Sequence, residues 1–134
     1  MQEIKVTYDG NMKTTATCGR SEIALKTDNS AESAASGTTC TPVDMFVTSL
    51  GACMLSIMGM MAAKRGLDIS GATVAMTYTS DEATHRVTSV TATFRLGGIE
   101  LSDADKRMLQ AAARACPVGA SFSPDIEKNL VFEF

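Results

Sequence analysis

Residues 45–63, MFVTSLGACMLSIMGMMAA, run for nineteen positions without a charge, and this stretch limits the possible folds more than any other. A helix of about twenty apolar residues can cross a bilayer. Thr48, Ser49, Gly51, Ser56 and Gly59 dilute the hydrophobicity, and the alternating strands on both sides of the run need a shared aqueous core, so a membrane span is the weaker reading. Thr41 is placed to cap the helix. Pro42 suits its first position, where a missing N–H costs nothing and the fixed φ helps. Gly66 supplies a left-handed stop, so the expected helix covers 42–65. A helix apolar nearly all round asks to be covered on every side. A chain of 134 residues, one domain over 1–134 by size, removes roughly two-thirds of its unfolded surface from water. It can hardly wrap such a helix alone, so a second subunit is the natural cover.

The flanking segments alternate with period two. In EIKVTY, Ile4, Val6 and Tyr8 share a face, and the Asp-Gly of DGN at 9–11 predicts a hairpin turn into a second strand over 12–18. A third strand is expected in SEIALKT, where Ile23 and Leu25 alternate. Residues 27–41 are small, polar and without period, which predicts an exposed, mobile loop. After the helix, Val74, Met76 and Tyr78 line one strand, and Val90, Ala92, Phe94 and Leu96 line its partner across a turn at DEATHR. Gly97-Gly98 breaks that strand. Ser102 with Asp105 three residues on resembles a capping box, opening a helix over 103–115. Leu130, Phe132 and Phe134 alternate in a last strand. Three strands, a long apolar helix, two strands, a helix and a strand make an α+β domain built on antiparallel sheets.

Composition narrows the function classes. Twelve basic against fifteen acidic residues give a formal charge of -3, and no basic cluster offers a footprint for nucleic acid. The opening MQEIKVTYDG has no apolar run behind a basic one, which predicts no export and a cytoplasmic location. In a reducing compartment, Cys18, Cys40, Cys53 and Cys116 are expected as thiols rather than staples. No pair has the Cys-x2-4-Cys spacing of a zinc site, and His85 stands alone in a turn, so no metal is expected.

Each thiol is then read by what its surroundings do to the thiolate, the reactive form. Cys116 precedes Pro117, and a residue before proline is pushed out of the α region. It therefore marks a break, after which PVGASF can start a short helix whose positive end would favour a charged sulfur. Cys53 lies mid-helix with Ser49, Leu50, Ser56 and Ile57 as helical neighbours. Burial there would leave it an inert, hydrophobe-like cysteine unless a cation comes from elsewhere. Cys18, at a strand end, and Cys40, on the small-residue loop, read as packing or surface thiols.

Two motifs carry a resemblance. TPVDMFVTSLGACM, a proline-led helix with a cysteine eleven residues after the proline, is similar to the helix signature of the OsmC/Ohr superfamily, and ARACPVG resembles its second signature around Cys-Pro. Their two cysteines are separated by 62 intervening residues, and the order of elements fits nearly the whole chain. The resemblance implies an OsmC-like fold in an intertwined homodimer, with long helices packed together and active sites at the subunit interface. It further implies a cytoplasmic thiol-dependent peroxidase, acting without a cofactor on small apolar organic hydroperoxides. The cysteine matching Cys53 would attack the peroxide, the one matching Cys116 would resolve the sulfenic acid as a disulfide, and a dithiol reductant would restore both.

The match departs at one position. Where well-characterised family peroxidases carry a glutamate after the helix-leading proline, this chain has Val43, as in the less-characterised branch of the superfamily. Asp44 follows, but at ~100° per residue it points about 180° away from Cys53. Arg20, in TCGRSE, resembles the family's N-terminal arginine and is the candidate activating cation. Met45, Phe46, Met54, Met58, Met60 and Met61 could wall a pocket for apolar peroxides or simply fill the core. The competing function is a non-catalytic dimer that binds a small hydrophobic molecule, its cysteines serving as packing.

Overall fold

The alternation of Ile4, Val6 and Tyr8 folds into β1 (Ile4–Gly10), which pairs antiparallel with β2 (Lys13–Cys18), itself paired antiparallel with β3 (Leu25–Asp28). This is the first of two units in the computed structural model, which describes residues 2–37 and 39–134. The hairpin turn sits one step later than the Asp-Gly pair predicts. Gly10 pairs with Lys13 after a register shift at Asp9, leaving Asn11 and Met12 as the central residues at φ 50° and 61°. Both are positive, as a two-residue turn matched to strand twist requires. The third strand is shorter than expected, and Ile23 lies before it, 73% exposed.

The segment expected as a mobile loop contains a short helix, α1 (Ala31–Ser36). The Ser30 side chain accepts from the Ser33 amide, Gly37 closes the helix at φ 64°, and Ser30 and Ser33 are buried. Small polar residues hid this turn from a periodicity reading, because capping rather than an apolar stripe holds it.

The long helix, α2 (Pro42–Lys64), keeps its expected start, and Gly66 follows at φ 70°. Thr41 and Asp44 form a reciprocal cap: the Asp44 amide donates to Thr41 Oγ1 at 3.1 Å, and the Thr41 amide donates to Asp44 Oδ2 at 2.9 Å. In the second unit, Val47 to Phe134, the helix buries Val47, Leu50, Gly51, Met54, Met58 and Ala62, a single stripe. Gly51 allows a close approach there, since a Cβ would meet Met76 Cγ and Sδ at 3.1 Å and Val74 Cγ1 at 3.2 Å and push those side chains back. The helix is long and apolar enough to cross a membrane, but its stripe is the centre of a protein core.

That core is completed by a second sheet. β4 (Thr73–Ser80) pairs antiparallel with β5 (Val87–Arg95), bringing Val74 opposite Phe94, Met76 opposite Ala92 and Tyr78 opposite Val90. α3 (Asp103–Arg114) starts with the expected Ser102–Asp105 capping box and buries Leu109, Ala112 and Ala113. α4 (Pro117–Ser121) follows, and β6 (Glu127–Phe132) then joins β5 in parallel. The antiparallel pattern thus holds for β1–β3 and β4–β5, while the helical crossover between β5 and β6 allows parallel pairing. Phe132 stacks on Phe94 with ring centroids 5.0 Å apart.

Candidate functional site

The break expected at Cys116 is where the structure turns from α3 into α4. Cys116 adopts φ −70° and ψ 142°, the extended geometry of an N-cap, and Pro117 opens the helix. Its sulfur takes the place of a capping oxygen, accepting a hydrogen bond from the Gly119 amide at 3.2 Å. The absence of a side chain at Gly119 favours this approach: a Cβ there would lie 3.1 Å from Cys116 Sγ and 3.5 Å from Leu50 Cδ1. Cys116 is 1% exposed and belongs to the core.

Cys53, half-buried on α2, packs against the same core. The two thiols are near enough to influence each other. Burial first of all pushes the Cys116 thiol above its ordinary value of 9.0; the Gly119 amide opposes this, the neighbouring Cys53 adds to it, and the charge of Lys128 pulls it down. Cys116 is therefore held as a protonated thiol, the reverse of what the helix end alone suggests, because desolvation outweighs the few aligned peptides of a one-turn helix.

Lys128 is the group that the sequence reading missed. Its Nζ donates to the Gly119 carbonyl at 2.8 Å, so a single residue, Gly119, is held by its N–H to the sulfur and by its C=O to the cation. The signal was present in DIEKNLVFEF: carrying the Leu130, Phe132 alternation back one step puts Lys128 on the same face, opposite Val90 on β5. Lys128 and Cys116 border a cavity of about 190 Å3, with Met54 and Leu130 among its walls.

The remaining candidates divide. Met54 and Met58 are core residues, with Met54 also facing the cavity, whereas Met60 is half-exposed and Phe46 is 41% exposed. Asp44 is committed to the helix cap with Thr41. Arg20, Cys18 and Cys40 lie in the first unit, where Arg20 follows Gly19 in the turn after β2, Cys18 sits opposite Ile4 and Cys40 is exposed. All four cysteines are free thiols. Among the described residues, no group of three or more His, Cys, Asp and Glu side chains gathers as a metal site.

Comparison with known proteins follows the same geometry. The sequence model of the family described as OsmC, OsmC-like protein, matches residues 35–130. Among solved structures, the chain is 32% identical to a Psychrobacter arcticus 273-4 protein that is provisionally described as an osmotic stress induced and detoxification response protein. That match has a TM-score of 0.90 and covers 99% of this chain and 96% of the other. An OsmC-like protein from Mycoplasma pneumoniae shares the fold at 13% identity and TM-score 0.80, over 98% and 95% of the two chains. The organic hydroperoxide resistance protein OhrB of Bacillus subtilis does so at 14% identity and TM-score 0.67, over 99% and 98%. No curated protein matches the sequence significantly.

Proposed function

This chain belongs to the family of OsmC-like proteins, and from that premise we propose that it is a cysteine-based peroxidase reducing organic hydroperoxides in the cytoplasm. The observation that carries the reading is the meeting of Cys53 and Cys116, distant in sequence and adjacent in the fold. Cys53 is the attacking sulfur. Its thiolate takes the outer oxygen of ROOH, the O–O bond breaks, the alkoxide leaves as ROH after gaining a proton, and Cys53 becomes a sulfenic acid. Cys116 carries out the second step through its thiolate fraction: its sulfur bonds to Cys53, and its proton departs with the sulfenic hydroxyl as water. A dithiol then returns two electrons to the disulfide. Arg20, in the glycine-arginine context that resembles the family's, is the proposed activator of Cys53 on the helix of the other subunit.

The protein is proposed to work as a homodimer. Ile4, Val6 and Tyr8 on β1 are each over 60% exposed, and Met60 on α2 is 50% exposed; a second copy is the cover argued from the uncharged helix. A single stable 14 kDa species in sedimentation at micromolar concentration would contradict this. One observation favours the competing reading, a non-catalytic binder of a small hydrophobic molecule. Val43 replaces the glutamate of the well-characterised peroxidases, and Asp44 is taken up by the cap. Stopped-flow consumption of cumene hydroperoxide with a dithiol separates the two. The peroxidase reading expects turnover in the wild type and its loss in Cys53→Ser, and equal rates would reject it.

A further inference from the structure

The cavity beside Cys116 is built unevenly. Met54, Ala113 and Leu130 supply apolar wall, and the only charged groups on its lining are Arg114 and Lys128, both cationic. Lys128 is tethered through one N–H to the Gly119 carbonyl, which leaves its ammonium two further donors. The Arg114 guanidinium is held over the Phe132 ring, 5.1 Å from its centroid. Neither cation is paired with a carboxylate on the cavity wall. Cys116 lines this space and Cys53 does not, so the cavity leads to one sulfur of the pair and not to the other. A volume of about 190 Å3 suits a short thiol rather than a large amphiphile.

We propose that this cavity is the port through which the reductant reaches the sulfur pair, that it selects a small anionic thiol, carboxylate- or sulfonate-bearing, and that attack falls on the Cys116 sulfur. The proposal rests on the peroxidase reading for the existence of the disulfide, while its binding preference stands on the cavity alone. The reductant thiolate bonds to Cys116 Sγ, the S–S bond to Cys53 breaks, and Cys53 leaves as thiolate. A second thiol, on the same dithiol or on another molecule, then attacks the reductant sulfur and releases Cys116, which takes up a proton. The reductant loses two electrons in becoming a disulfide, and the protein pair gains them. Lys128 and Arg114 receive the anionic group while Met54 and Leu130 pack against the carbon chain.

The test uses the reduced protein with Cys18, Cys40 and Cys53 changed to Ser, so that Cys116 is the only sulfur nucleophile. Two methanethiosulfonates of similar size form mixed disulfides with it, one bearing a sulfonate and the other a trimethylammonium. Each rate is divided by that reagent's rate with free 2-mercaptoethanol. The proposal expects the anionic reagent to be favoured roughly tenfold, the low end of the range for electrostatic focusing in a cleft. The preference should fall to less than about threefold in Lys128→Met, return in Lys128→Arg and shrink at high salt as screening sets in. A change in Cys116 acidity or in local packing moves both reagents together and cancels in the ratio, so Lys128 acting only as a structural tether leaves the ratio unmoved. A ratio near one in the parent protein, or one that Lys128→Met leaves unchanged, overturns the proposal. Because the assay needs no peroxide, loss of the peroxidase reading and loss of the port are read separately.

Discussion

Replacing Gly119 with alanine perturbs the thiol site through a single methyl group. The added Cβ would stand 3.1 Å from Cys116 Sγ, so the sulfur must retreat by about 0.3 Å to reach the near edge of ordinary contact, at 3.4 Å. Cys116 is 1% exposed and Leu50 Cδ1 stands 3.5 Å from the new carbon, so the retreat presses on packed core. Overpacking of this kind costs about 1–3 kcal/mol, and the better helix propensity of alanine returns up to about 1 kcal/mol. The net expectation is a loss of roughly 0–3 kcal/mol by urea unfolding. The site responds more sharply than the stability. The 3.2 Å bond from the Gly119 amide is one of the two influences holding the Cys116 thiol down, so weakening it moves that thiol further up. The assay is the pH dependence of iodoacetamide alkylation of Cys116 with the other three cysteines changed to serine. The variant should need a higher pH for half-maximal rate than its parent. A stability gain of about 1 kcal/mol, as propensity alone would give, together with an unmoved or lowered alkylation midpoint, would refute the argument that Gly119 is spared a side chain for the sake of the sulfur.

Two further outcomes follow from the core and from its titration. Leu109 is fully buried on α3, and Leu109→Ala should cost about 2–5 kcal/mol in urea unfolding through lost transfer energy and a residual cavity; a loss under about 1 kcal/mol would contradict its place at the centre. The raised thiol of Cys116 also makes stability depend on pH. As pH climbs past the unfolded value near 9.0, the unfolded chain loses this proton first while the folded chain keeps it. Stability therefore falls with pH up to the folded value. Unfolding measured from pH 8 to 10.5 should show a decline that Cys116→Ala removes, and an identical slope in both proteins would deny that the fold raises this thiol.

The elements that sequence made legible are those in which local chemistry and tertiary packing agree. Pro42 and Gly66 marked the ends of the long helix, Ser102 and Asp105 marked the next, and Val74, Met76 and Tyr78 lie opposite Phe94, Ala92 and Val90 on paired strands, as their shared faces implied. What escaped lacked a period or depended on distant chain. α1 is held by Ser30 and Gly37 rather than by an apolar face, and the hairpin turn moved onto Asn11 and Met12 because a register shift at Asp9 absorbed one residue. The parallel seating of β6 depends on how the α3–α4 crossover runs, which no pattern within the strand reports. At the site, Cys53 and Cys116 could be picked out from their motifs. The sign of the Cys116 shift could not, because it turns on burial among residues from other elements. Lys128 was missed although the strand alternation places it on the core-facing side, and because its carbonyl partner Gly119 belongs to another element, its role emerges only in three dimensions.

The most direct measurement of the central claim is peptide mapping of the reduced wild type after one equivalent of cumene hydroperoxide. The Cys53 and Cys116 peptides should be joined by a disulfide, with Cys18 and Cys40 still alkylatable and the link absent in Cys116→Ser. Recovery of Cys53 and Cys116 as unmodified thiols, or a link from Cys53 to Cys18 or Cys40, would contradict it.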